Sequence, residues 1–234
     1  LPASCMREGF SSLPAPLGTV ANALADDLAT RHTDVLHTAF YRILEREPFW
    51  RMLRGTEMED AILYMADAWL RQLRREQLLA ACHAAGITVD IYGKVDAEVP
   101  GLAGHRQHGP IDFPLLLERM GAATAVLHSG ANFPAGSHER PLCAMANGAI
   151  AIAERTAWLD AEFQPGRDLI GFRWDSLAAD LAGLRTRLHD PSAAAIAARG
   201  QERTLATHHR RARAAALVAC ARTALAARGR TLPP

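Results

Sequence analysis

The spacing of apolar residues changes along this chain, and each change marks a new kind of element. Leu1–Leu17 is rich in Pro, Ser and Gly and carries no period, which predicts an extended or disordered lead-in (1–17). From Ala21 to Glu47 the spacing is helical. Leu24 and Leu28 share one stripe, and Leu36, Phe40, Ile43 and Leu44 continue one after a break near Thr33. Thr56-Glu57-Met58-Glu59 has the form of a capping box. Behind it, Met58, Ile62, Met65, Trp69 and Leu73 predict one buried face of a long helix, extended by Leu78, Leu79 and Cys82. Arg71, Arg74, Arg75 and Glu76 fall mostly off that face.

After Gly86 the pattern shortens to strand length. Ile87–Tyr92, Ala123–His128, Gly148–Ala153 and Asp168–Phe172 read as strands. Between them lie helical stretches: Phe113–Met120 capped by Asp112, Arg140–Asn147 closed by a left-handed Gly148, and Thr156–Phe163. Ser176–His189 reads as one amphipathic helix with Leu177, Leu181, Leu184 and Leu188 on a single face. Asp190-Pro191 starts another, and His208–Arg228 is a last, Ala-rich one. Strands alternating with helices predict an α/β protein with a Rossmann-like parallel sheet, helices on both faces, preceded by an all-helical segment. The expected division is a helical segment over 18–86, an α/β domain over 87–228 and a tail over 229–234.

Composition adds only limits. Of 234 residues, 49% are hydrophobic and 22% charged, as in ordinary globular proteins, and the net charge of +1 does not advertise a polyanionic partner. The arginines after Arg203 lack interleaved aromatics and read as a solvated helix face, so no nucleic-acid partner is expected. Cys5, Cys82, Cys143 and Cys220 form no C-x-x-C pair; with no membrane-length apolar run, they suit a cytoplasmic protein. His208-His209 are adjacent and diverge on a helix, so no metal is expected there. The chain begins with Leu and shows no signal-peptide pattern, as a processed chain or fragment would.

The candidate chemistry lies beyond the carboxyl ends of the strands, where open parallel sheets bind ligands. Four loops leave those ends: Gly93-Lys94, His108–Ile111, Ser129–Ser137 and Glu154–Thr156. They are expected to converge on one crevice. His138-Glu139-Arg140 falls where a loop becomes a helix N-terminus, a place that attracts anions, and Arg140 adds a bidentate phosphate donor. Lys94 reads either as a second phosphate donor or as a solvated turn residue. Ser129, Asn132, Ser137 and His138 offer hydrogen bonds to a sugar or phosphate. Glu154 reads as a hydroxyl acceptor or as the cap of the next helix, and Cys143 as a core thiol rather than a nucleophile.

The run Gly136–Ile152, G-S-H-E-R-P-L-C-A-M-A-N-G-A-I-A-I, resembles the donor-binding segment of GT-B glycosyltransferases. It is most similar to the spore-maturation-protein-like (CgeB-like) members, with their motif H-x-R-x-F-E-A-x-A-x-G. The similarity continues through Glu162–Asp168 to Thr207-His208-His209 and covers 86 to 216. It implies one half of a GT-B fold that binds a nucleotide-diphosphate sugar and supports retaining transfer to an unknown glycan, lipid or protein acceptor, without a metal cofactor. On that likeness Gly109, Pro110 and Ile111 cup the base, Gly136–Arg140 meets the diphosphate and sugar, and Arg140 and Glu139 stand at the reacting centre. Cys143 departs from the family: it stands where a glutamate would grip the ribose hydroxyls. The family's glycine-containing first strand is also replaced, here by continuous helix before Ala85. A missing N-terminal GT-B half is an implied partner. The alternative is a catalytically inactive nucleotide-binding or protein-interaction module.

Overall fold

The computed structural model describes residues 1–32, 34–46, 48–95, 99, 101–131 and 133–229. Three helices open the chain: α1 (Ala3–Ser11), α2 (Ala15–Thr30) and α3 (Leu36–Leu44). A 3-10 turn at Pro48–Leu53 leads to the 28-residue α4 (Glu57–Ala84). The Thr56 hydroxyl accepts from the Glu59 N–H at 3.4 Å, and the Glu59 carboxylate reaches back to the Gly55 N–H at 2.5 Å, one residue before the usual capping-box partner.

The lead-in is not extended. Local sequence gives α1 no strong signal, but tertiary contacts do. Phe10 is 1% exposed and meets Trp69 edge-on at 6.1 Å, and the buried Glu76 accepts the Ala3 N–H at 2.8 Å, satisfying a donor at the helix start. The break expected at Thr33 lies outside the described residues, as does the tail from 230 on. On α4 the apolar stripe is shifted by about a residue. Ile62, Leu63, Ala66, Trp69 and Leu70 are buried, whereas Met58 is exposed and Arg74, read as off the face, is 2% exposed.

The α/β part follows as β1 (Asp90–Tyr92), β2 (Arg106–Gly109), α5 (Phe113–Ala122), β3 (Ala125–His128), α6 (Glu139–Ala146), β4 (Ile150–Glu154), α7 (Ala157–Glu162) and β5 (Ile170–Phe172). Every pairing is parallel. β4 is buried on both faces: Ile150 and Ile152 join Leu78, Cys82 and Phe172 on one side, Ala151 and Ala153 join Met145 and Leu159 on the other. This is a sheet with helices on both faces, preceded by a helical segment, as the pattern predicts.

The strands form two sheets, β1-β2 and β3-β4-β5. A doubly wound sheet has the order 3-2-1-4-5-6. Here the strands pair instead as two separate sheets, and among the described residues no strand joins β1 to β3. α4 precedes β1 as unbroken helix, so the strand that would open such a sheet has no counterpart before it. Ile87 and Val89 on one side of the gap and Ala125 and Leu127 on the other still pack against the same apolar cluster.

Four helices finish the chain: α8 (Leu177–Leu181), α9 (Leu184–His189), α10 (Ser192–Thr207) and α11 (Arg210–Ala226). The single helix expected over Ser176–His189 is broken because Gly183 takes φ +74°. Leu181 and Leu184 are buried on either side of the break, so the apolar period survives although the helix does not.

Candidate functional site

β3 ends at His128 and the chain turns through a loop into α6, whose N-cap is His138. His138 does not cap the helix with its side chain; its Nδ1 instead meets the Glu139 carboxylate at 3.0 Å. Glu139 is held below the usual carboxylate range, first by His138 and then by its own backbone N–H. The helix end therefore already stabilises one negative charge. Arg140 is exposed beside it and forms no ion pair among the described residues.

Arg140 borders a cavity of about 390 Å³ between this loop and the helical segment. Ser129, Phe133 and His138 line the loop side, with His128 at the strand end. The opposite wall is α4, which contributes Arg71 and Arg75 one turn apart. Arg71 pairs with Asp67, whereas Arg75 pairs with no carboxylate among the described residues. The Arg75 side chain reaches solvent, yet the cavity walls strip away enough water to lower its pKa, and the like charges of Arg140 and Arg71 lower it further. Such a place favours an anion that would screen the three guanidiniums from one another.

His128 is 5% exposed, and neither ring nitrogen has a hydrogen-bond partner among the described residues. Burial, followed by the charge of Arg140, drives its pKa down to about 4, so the ring is neutral at pH 7. Beneath the loop, Glu154 is 6% exposed and accepts the Gly130 N–H at 3.0 Å, fixing the turn that follows β3. Burial raises its pKa, opposed by Trp174, the Gly130 N–H and Arg74.

A larger cavity of about 480 Å³ lies beside Trp174 and Arg74. Its arginine is already engaged: Arg74 donates to the Leu28 carbonyl at 3.0 Å and to Gln77 at 2.8 Å, and lies 4.8 Å over the Trp174 ring. The smaller cavity is the one with cations to spare.

Of the four loops expected to converge, one lines this cavity. The structure brings together Ser129, His138 and Arg140 there. Lys94 is exposed after β1, and neither it nor Gly109, Pro110 and Ile111 lines the cavity; the Gly109 carbonyl accepts the Gly93 N–H at 2.8 Å. Glu154 sits under the loop rather than in the opening. Gly136 closes a turn onto the Phe133 carbonyl at 3.1 Å, and the Ser137 hydroxyl donates to the His138 carbonyl at 3.0 Å. Cys143 is half-buried in α6 with its thiol pKa raised by burial and by Glu139. Asn132 lies outside the described residues. Three residues were not picked out: Arg71, Arg75 and His128. His128 had a signal, since it is the last residue of a strand in a parallel sheet. The two arginines had only their i, i+4 spacing.

Among the described residues no group of three His, Cys, Asp or Glu is placed to hold a metal ion, and no helix is long and apolar enough to cross a membrane. His208 packs its ring 5.2 Å from Trp158 and 5.3 Å from Phe163.

No curated protein and no solved structure matches the chain. One family does, over residues 71–219, a span that starts at Arg71 and holds Arg75, the strand-end loop, α6 and most of α11. The chain belongs to the glycosyl transferase-like family.

Proposed function

We propose that this chain is the donor-binding half of a GT-B glycosyltransferase of the spore-maturation-protein-like kind, and that the cavity beside Arg140 takes the diphosphate of a nucleotide sugar. The observation that carries this reading is the cluster of three guanidiniums around the cavity, two of them without a carboxylate partner among the described residues. In glycosyl transfer the bond from the anomeric carbon to the diphosphate breaks, and charge grows on the leaving oxygens. Arg75, Arg140 and the start of α6 are set in place to meet that charge before it forms, which lowers the barrier without reorganisation. Those cations take the part a metal ion would otherwise play. Glu139 holds His138 at the rim. On this reading the helical segment forms one wall of the donor site, and the acceptor, a glycan, lipid or protein, approaches from the open side in the cytoplasm.

Cys143 favours a second reading. It cannot accept hydrogen bonds as a carboxylate does, and its half-burial in α6 leaves the ribose without that grip. A nucleotide-binding or interaction module that has lost transfer would look the same there. A thermal-shift panel with UDP, GDP, ADP, TDP and CMP separates a nucleotide-binding site from an interaction module. Ligand at 100 times its Kd stabilises the fold by about 2.7 kcal/mol. A shift for one nucleotide, absent in Arg140→Ala, is expected of a donor site. No shift for any of them sinks the donor reading.

A further inference from the structure

We infer that His128 is the sugar-reading element of this cavity: it takes a hydroxyl of a hexosyl phosphate whose phosphate is held by Arg75 and Arg140. This rests on the donor reading above and specifies which part of the ligand goes where. Three observations carry it. First, the imidazole is 95% buried at the end of β3, lines the cavity, and has both nitrogens unpartnered. A buried polar group without a partner is costly, and a ligand that supplies the partner removes that cost. Second, Gly130 leaves no side chain against the ring, where a Cβ would stand at contact distance, 4.0 Å from Nε2, although the nitrogens themselves are shielded from water.

Third, the chemistry of the neighbours divides the ligand. A neutral imidazole has one N–H to donate and one lone pair to accept. A hydroxyl both donates and accepts, so it matches. A fully ionised phosphate only accepts, so it can take the N–H but leaves the lone pair unmatched. Arg140, His138 and Arg75 all oppose a proton on His128, and Glu139 alone favours one. The cations that suit phosphate thus keep the histidine in the form that suits a hydroxyl. The ligand class is a sugar bearing a free hydroxyl close to an anomeric phosphate.

Titration calorimetry tests this with inorganic phosphate against the 1-phosphates of glucose, galactose, mannose and N-acetylglucosamine. At least one hexose 1-phosphate should bind about tenfold more tightly than inorganic phosphate, the contribution of one well-made hydrogen bond. His128→Leu should erase that advantage while leaving inorganic phosphate within about twofold. His128→Asn, which keeps a donor and an acceptor, should retain part of it. A folded His128→Leu protein that keeps the full advantage overturns the inference, as does a wild type that shows none. Loss of inorganic phosphate binding altogether overturns the donor reading as well, so the two failures are distinct. Should His128→Leu fail to fold, the ¹⁵N resonances of the His128 ring in the wild type decide. They should move with the hexose 1-phosphate and not with inorganic phosphate; a ring that stays still overturns the assignment.

Discussion

Two groups of three arginines occupy this protein, and they differ in what lies between them. Arg31, Arg42 and Arg46 close on Asp27, whose side chain is 5% exposed; Arg31 and Arg46 approach its Oδ1 at 3.4 and 3.3 Å, and Arg42 bridges it to Asp34. Arg71, Arg75 and Arg140 border an open cavity, where the lining carboxylate, Asp67, pairs with Arg71 alone. In the first group the carboxylates raise the pKa of Arg42; in the second, burial and like charge lower that of Arg75. The first arrangement is complete without a ligand and ties α2 to α3. The second leaves Arg75 and Arg140 beside the cavity without a carboxylate partner among the described residues.

Breaking the finished cluster should have the largest effect. Asp27→Ala leaves Arg42 with Asp34 alone and strands two further guanidiniums at the α2–α3 junction. Removing one partner from a buried pair costs about 3 to 5 kcal/mol, and the partial exposure of the arginines puts the expectation at the low end. Urea denaturation should show a lower midpoint at unchanged slope, with phosphate binding intact. A loss of binding instead would mean that the two clusters are coupled and the contrast between them is false.

The next effect belongs to pH. The folded protein holds His128 at about 4 against about 6.5 when unfolded. Between those values the unfolded chain binds more protons, so His128 makes stability rise with pH through the window and fall on acidification from pH 6.5 to 4. The full effect is at most about 3 kcal/mol. Glu154, whose folded pKa is raised, works in the opposite direction: its contribution falls as pH climbs above the usual carboxylate range. Denaturation midpoints of His128→Leu across pH 4 to 7 should therefore lose the rising limb and keep the Glu154 component. An unchanged profile would show that His128 is not buried neutral.

Much of this architecture could be read locally. Asp112 caps α5 by accepting the Leu115 N–H at 2.9 Å, Thr156 caps α7 through the Leu159 N–H at 3.1 Å, and Gly148 closes the α6 turn at φ +86°; all three are decided within a few residues. β2 is not among the expected strands, since Arg106-Gln107-His108 has no apolar pattern; across the pair Asp90 on β1 holds Arg106 at 2.6–2.7 Å and His108 at 2.6 Å. α1 needed Trp69 and Glu76, more than fifty residues away. The site follows the same rule. Arg140 and His138 were legible from a loop-to-helix junction in one short segment. Arg71 and Arg75 were not, because two arginines one turn apart on a helix read as a solvated face until the fold shows what stands opposite.

The smallest expected effect discriminates most sharply, because its sign depends on the ligand. Arg75→Met keeps the aliphatic stem and removes the charge that Arg140 and Arg71 repel. Without ligand the variant should be more stable by a few tenths of a kcal/mol, the scale of exposed charge interactions, and the gain should shrink as salt screens the repulsion. In saturating pyrophosphate the order should invert, since the wild type then gains an attraction that the variant lacks. A residue in a finished structural cluster cannot behave this way: its removal destabilises with or without ligand. If Arg75→Met destabilises in both conditions, Arg75 belongs with the Asp27 group and the cavity loses its claim to the anion. If the order inverts, the repulsion between Arg75 and Arg140 is strain that the ligand is built to relieve.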